Sequence, residues 1–183
     1  MLTQRDFENA ASRLRCSVAA IKAVCEVEAP RGGFLSTGEP TILFERHIFS
    51  RLTQHRYDHL YPDISNRTPG GYGTLAAQHS RLQRATRLNR EAALMSASWG
   101  RFQILGENYK QAGFSSIQGF INAMYTSEQR QLDAFVAFIL ADSVLISSLR
   151  LRNWAAFARR YNGPNYAINQ YDRKLAAAYF RYA

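Results

Sequence analysis

Apolar residues recur at three- and four-residue steps along most of the chain, a spacing that predicts a mainly α-helical protein. Thr3, with Asp6 three residues on, is a capping-box-like start, after which Phe7, Ala11 and Leu14 share a helical face. Ser17 caps a second helix in which Val18, Ile21, Val24/Cys25 and Glu28 keep that spacing, and Pro30 ends it by disfavouring helical geometry at Ala29. Gly32, Gly33, Gly38 and Pro40 then punctuate two short apolar runs, Phe34-Leu35 and Thr41-Ile42-Leu43-Phe44, which predicts a small β-hairpin. A short helix from Glu45 to about His55 follows, then a loop from Tyr57 to Gly73 able to line a cleft. A long helix is expected from about Leu75 to Ser96, with shorter ones at Trp99 to Ile104, Glu107 to Ala112 and Ser116 to Tyr125. Ser127 opens a segment apolar nearly all round through Leu132, Phe135, Val136, Phe138, Ile139 and Leu140, the mark of a central buried helix. Trp154, Phe157, Ala158 and Tyr161 share a later face, and Leu175, Ala178, Tyr179 and Tyr182 another. With no linker, repeat or low-complexity segment, the expectation is one mainly α domain over residues 1–183.

Composition sharpens this picture in two respects. At 183 residues and 46% hydrophobic content the chain can bury a core without staples, and Cys16 and Cys25 lack the spacing of a metal or redox pair, so two free buried thiols are expected. The net charge of +9 comes from 23 basic residues, only three of them lysine, against 14 acids, and it favours polyanionic partners. Arg81, Arg84, Arg87 and Arg90 recur every three residues and so wander round their helix, as on a solvated surface. No recognition-helix, zinc-finger or RNA-binding motif is present, which argues against nucleic acid as partner. His55 and His59 have no third metal ligand, so neither metal nor cofactor is expected. The opening residues have no apolar core of a secretory signal, and the longest apolar run, Ala134 to Ala141, is too short to span a bilayer, so synthesis in the cytoplasm is expected.

The candidate chemistry lies where the second helix ends. Glu28 falls four residues after Val24 and seven after Ile21, on the apolar face, whereas Glu26 is turned about 200° away toward solvent. Partial desolvation and the negative end of the helix dipole both disfavour a charged Glu28, so its pKa is expected to rise. A carboxylic acid still protonated near neutral pH suits general-acid cleavage of a glycosidic bond, where the leaving oxygen must receive a proton. The glycines just beyond leave room for a sugar chain.

Six blocks extend this reading: VEAPRGGFL (Val27–Leu35), TGEPTILFERH (Thr37–His47), SASWGRFQILG (Ser96–Gly106), SEQRQLDAFVAFI (Ser127–Ile139), NWAAFARRYNGPNY (Asn153–Tyr166) and YDRKLAAAY (Tyr171–Tyr179). In this order they resemble the N-acetylmuramidase family of phage endolysins, in particular single-module endolysins of phages that infect Gram-negative bacteria. The resemblance implies a lysozyme-like helical fold and cleavage of the β-1,4 bond between MurNAc and GlcNAc in peptidoglycan, with Glu28 as proton donor. By the same resemblance Glu45 is a second acidic position that either activates water or stabilises an oxocarbenium-like centre; an ion pair with Arg46 or another base, or a plain helix-start carboxylate, is the alternative. Ser98, Gly100 and Gln103 match an S-x-G-x-x-Q-I stretch in which the glycine lets backbone approach substrate and the glutamine amide bonds sugar groups. Trp99 fits core and sugar platform equally. Tyr161 and Asn162 match a Y-N-G motif at the cleft floor, orienting the N-acetyl group or the acid, and Tyr61 and Tyr72 either stack on sugar rings or pack internally. Where relatives have Ser-Gly after the catalytic glutamate, this chain has Ala29-Pro30-Arg31, without the hydrogen bond that serine supplies.

The resemblance further implies peptidoglycan glycan strands as partner, a monomer, and action in the periplasm after release through a membrane pore of the holin kind; many relatives also carry a separate peptidoglycan-binding domain, whereas this chain starts directly with the catalytic part, so no separate wall-binding domain is expected. The arginine-rich surface then serves to hold an anionic wall or outer membrane. A lytic transglycosylase, in which the substrate's own C6 hydroxyl attacks instead of water, shares the fold and the single glutamate and is the competing reading.

Overall fold

The computed structural model describes residues 1–183. Ten helices surround a three-stranded antiparallel sheet. Helices α1 (Gln4–Leu14) and α2 (Val18–Glu28) start where their caps predict: Thr3 and Asp6 form a reciprocal capping box and Ser17 accepts from the Ala20 N–H. Helix α3 (Arg46–Leu52) precedes the turn-rich stretch to Gly73. Helices α6 (Ile117–Thr126) and α7 (Glu128–Leu140) begin at Ser116 and Ser127, whose hydroxyls accept from Gly119 and Arg130 N–H groups. In α7 Phe135, Val136 and Ile139 are wholly buried, so this is the central helix the pattern requires. Helices α8 (Ser143–Leu151), α9 (Trp154–Tyr161) and α10 (Tyr171–Tyr182) complete the shell, α10 lying along α2. No single helix is long and apolar enough to cross a membrane.

The expected helix from Glu107 to Ala112 shortens to one 3₁₀ turn, Gly106–Asn108, followed by further turns, and three other expectations fail locally. The predicted hairpin shrinks to one bridge, Phe34 to Pro40, closed by Thr41 N–H donating to the Gly33 carbonyl at 2.9 Å. Strand β1 (Ile42–Phe44) runs on past it and pairs instead with β2 (Ala97–Trp99), which pairs with β3 (Ile104–Leu105). The segment Trp99–Ile104 is therefore not a helix but strand, one 3₁₀ turn (Gly100–Phe102) and strand. The expected helix from Leu75 to Ser96 is broken into α4 (Gln78–Leu88) and α5 (Arg90–Met95), because Asn89 turns extended and its side chain accepts from the Ala92 N–H, capping a new helix.

The register aligns Leu43, Ser98 and Leu105 across the sheet, and all three line one cleft, while Trp99, Ile42 and Ile104 are buried. The arginine run is not a solvated surface throughout. Arg81 is buried over the Phe44 ring, donating to the carbonyls of Tyr72 at 2.8 Å and Asp63 at 2.5 Å, and Arg84 pairs with the Asp63 carboxylate at 2.5 Å. These contacts fasten the loop from Tyr57 to Gly73 onto α4. Cys16 and Cys25 are free, Cys25 fully buried and Cys16 half-buried; burial pushes their thiols up to about 12 and about 11 respectively.

Candidate active site

The end of α2, the sheet and the end of α9 enclose a cleft of about 530 Å³. Glu28, the last residue of α2, stands half-buried in its wall. Its only hydrogen-bond partner is Asn162, the residue that ends α9, whose Nδ2 donates to Glu28 Oε1 at 2.8 Å. Burial pushes the Glu28 carboxyl up to about 7, and the Asn162 amide pulls weakly the other way by favouring the charged form. Two residues earlier, Glu26 lies on the outer surface with its carboxylate held by Tyr182 and Arg181, and the Tyr182 hydroxyl foremost holds it below the usual carboxylate range. One helical face separates an acid from a carboxylate.

Glu45, immediately before α3, lines the same cleft. Arg46 is not its partner, since the Arg46 Nε donates to the Thr68 carbonyl, and the Glu45 side chain caps no helix N–H. Its Oε1 receives the Tyr72 hydroxyl at 3.5 Å, and its buried Oε2 stands 3.3 Å from His47 Nδ1. Burial raises the Glu45 carboxyl, opposed by the Tyr72 hydroxyl and the Arg81 guanidinium. Glu28 has one amide against its desolvation where Glu45 has a phenol and a cation, so Glu28 is the one displaced to about 7.

Of the other residues singled out by sequence, Ser98, Gln103, Tyr161 and Asn162 line the cleft. The Gln103 amide nitrogen is spent on the carbonyls of Thr41 and Gly100 at 3.2 and 2.9 Å, which leaves its oxygen as the uncommitted polar atom. Tyr161 donates to the Phe102 carbonyl at 2.5 Å and stacks on Phe157 with ring centroids 5.2 Å apart, bracing the 3₁₀ turn rather than touching Glu28. Tyr72 stands beside Glu45. Tyr72, Gly100 and Tyr61 are not among the residues that line the cleft. Gly100 is buried behind the cleft wall: its φ is +72°, and a Cβ there would meet Gln131 Cδ at 2.6 Å, so the close approach it permits is to α7 and not to substrate. Tyr61 does not line the cleft; it packs edge-on against Tyr57 at 6.4 Å, beside the core. Trp99 is core, 1% exposed, its indole N–H donating to the Leu94 carbonyl at 3.1 Å.

The family model for N-acetylmuramidase matches residues 17–183. The chain belongs to the N-acetylmuramidase family. It is a glycoside hydrolase acting on peptidoglycan. Among solved structures it is similar to the crystal structure of the Burkholderia AP3 phage endolysin, at 46% identity and a TM-score of 0.88, over 99% of this chain and 70% of that one. No curated protein sequence matches.

The cleft of this muramidase also holds residues that sequence reasoning passed over: His47, Asn108, Arg160 and Tyr171. Tyr171 opens α10 and lines the cleft together with Glu28 and Glu45; burial first, then the charges of both, raises its phenol. The Arg160 Nε donates to Asp142 Oδ2 at 2.6 Å while Asp142 Oδ1 caps α8 through Val144 and Leu145, locking α9 to α8. Beneath the site, Gln131 and Glu128 of α7 tie the glycine turns together. Gln131 Oε1 accepts from Arg101 N–H at 2.7 Å, and Glu128 Oε1 accepts from Gly33 N–H at 2.8 Å. Their place in the SEQRQ block was visible; their task was not, because it depends on partners about 30 and 95 residues away.

Proposed function

We propose that residues 1–183 act as one catalytic domain of endolysin type, cleaving the MurNAc-β-1,4-GlcNAc bond with Glu28 as general acid. The observation that carries this is a half-buried carboxyl in a glycan-sized cleft, held by Asn162 and pushed up to about 7. Protonated Glu28 gives its proton to the glycosidic oxygen as the C1–O bond breaks. Water adds to C1, and its proton passes to the Glu45 carboxylate, which the Tyr72 hydroxyl and the Arg81 guanidinium favour against the effect of burial. Asn162 orients Glu28 and presents a buried Oδ1 without a partner, an acceptor for a sugar N–H or O–H. Ser98 and the Gln103 oxygen lie along the wall that receives the glycan, and Tyr72 holds Glu45. The net charge of +9 supports adhesion to the anionic wall, and the reading places the enzyme's action in the periplasm after synthesis in the cytoplasm.

The test is the mass of the products from purified peptidoglycan: hydrolysis leaves reducing-end MurNAc. Products ending in 1,6-anhydro-MurNAc would establish attack by the C6 hydroxyl and remove the water step, and reducing-end GlcNAc would place the cut on the wrong bond.

A pH profile probes the Asn162–Glu28 contact separately. Because that hydrogen bond favours the carboxylate, its removal in Asn162→Ala raises the Glu28 pKa and moves the alkaline limb of kcat/KM, near pH 7 in the wild type, upward by about half a pH unit or more. An alkaline limb that stays in place or moves down would show that this amide does not set the acid's strength.

A further inference from the structure

Strand β2 has two faces. Ser98 looks into the catalytic cleft, and the next residue, Trp99, faces the opposite way, into a second cavity of about 490 Å³, close to the cleft in size. We propose that this second cavity is a glycan-holding site that binds a strand of peptidoglycan away from the scissile bond; the proposal rests on the reading of the chain as a muramidase.

The floor is an aromatic pair. The Tyr125 ring, 46% exposed, lies 6.3 Å from the buried Trp99 indole and tilted 53° to it, so its inner side is braced by the core and the rest is open. A braced aromatic ring offers an apolar face to the C–H groups of a pyranose at little entropic cost. Polar side chains of both kinds stand in the wall: the Glu39 carboxylate, the His79 imidazole, the Gln83 amide and the Arg90 guanidinium. The first two are held in place, since His79 Nε2 bonds the Pro40 carbonyl at 2.8 Å and Glu39 receives the Thr37 hydroxyl at 3.1 Å. Arg90 is anchored to the Gln118 side chain. A wall with one carboxylate and one guanidinium has little net charge, which disfavours a phosphate or a nucleic-acid backbone and suits a neutral, many-hydroxyl ring that needs donors and acceptors together. Glu39 lies near enough for its charge to act on the Tyr125 phenol, so the two flank the cavity and a sugar between them would meet a ring face and a hydrogen-bond acceptor at once. The substrate is a cross-linked polymer of repeating sugars. An enzyme that grips it at two places on opposite faces of one sheet stays attached between cuts, and the gain is one of effective concentration, absent for short soluble chains.

The experiment compares Tyr125→Ala with wild type on two substrates and in one binding assay. Co-sedimentation with purified sacculi, in a Glu28→Gln background so that the polymer is not consumed, should weaken about tenfold on loss of the ring. Turbidity loss of sacculi should slow in proportion, while kcat/KM on a soluble MurNAc–GlcNAc tetrasaccharide stays at the wild-type value. Tyr125→Phe, which keeps the ring, should bind sacculi like wild type and so separates a lost platform from lost folding. Equal binding by Tyr125→Ala, or an equal loss on both substrates, would overturn the second site; neither result touches Glu28, whose own test is loss of cleavage in Glu28→Gln alone.

Discussion

Glu28→Gln should abolish cleavage and stabilise the fold, and the two effects have a single origin. The amide cannot give a proton to the leaving oxygen, so turnover of peptidoglycan is expected to drop by about a thousandfold or more, within the range for removal of a positioned general acid. It does keep the shape and the acceptor oxygen that Asn162 addresses at 2.8 Å, so no packing is lost. The sign of the stability change follows from linkage. In the unfolded chain Glu28 ionises at its ordinary value, 4.5, and in the folded enzyme only at about 7. Below pH 4.5 both states carry the proton and the wild type suffers no penalty. Between pH 4.5 and 7 the unfolded state sheds its proton first, stability falls as pH rises, and above 7 the penalty is complete. With partial exposure to the cleft weakening the effect, its full size is about 1–3 kcal/mol, or a few degrees in Tm for a protein of this length. Thermal melts at pH 4 and pH 8 measure it. Glu28→Gln should match wild type in acid and exceed it in base. A variant that retains lysis, or that gains nothing above pH 7, would show that the carboxyl is an ordinary solvated one.

Gly100→Ala is expected to cost about 2–4 kcal/mol, from a left-handed backbone that a side chain resists and from the displacement of Gln131. Gln131 cannot easily yield, since its oxygen holds the Arg101 N–H and its nitrogen the Met124 carbonyl at 2.9 Å. The natural comparison is Gly38→Ala. Gly38 has φ +85° but nothing within 4 Å of its Cβ direction, so it carries only the backbone cost, about 1 kcal/mol. Urea denaturation of the pair separates the two contributions. Equal losses would mean that α7 gives way freely and that the glycine is there for its φ alone.

How much of this was legible depended on how local the cause was. The position of Glu28 follows from helical spacing plus a proline stop, both contained in a dozen residues, and the raised acid follows from that position. The serine starts of α2 and α7 were legible for the same reason. Strand β2 was not, because Ala97–Trp99 is three residues long and takes its partner from β1 some 55 positions earlier. Arg81 read as solvated because nothing in its own helix announces the Tyr72 and Asp63 carbonyls that receive it. Gly100 was found through its motif, but its packing against Gln131 of α7 was not legible, because that partner lies about 30 residues away. Tyr171 and His47 are isolated polar residues whose relevance appears only when α10 and α3 close over the cleft.

The amide that steers Glu28 is encoded 134 residues after it, and α10, which lies along α2, comes later still. Until those segments emerge from the ribosome and dock, the carboxyl is wetted on every side and has the strength of any free glutamate. A chain that stops before Asn162 therefore lacks the contact that sets this carboxyl apart, even when its first helices form.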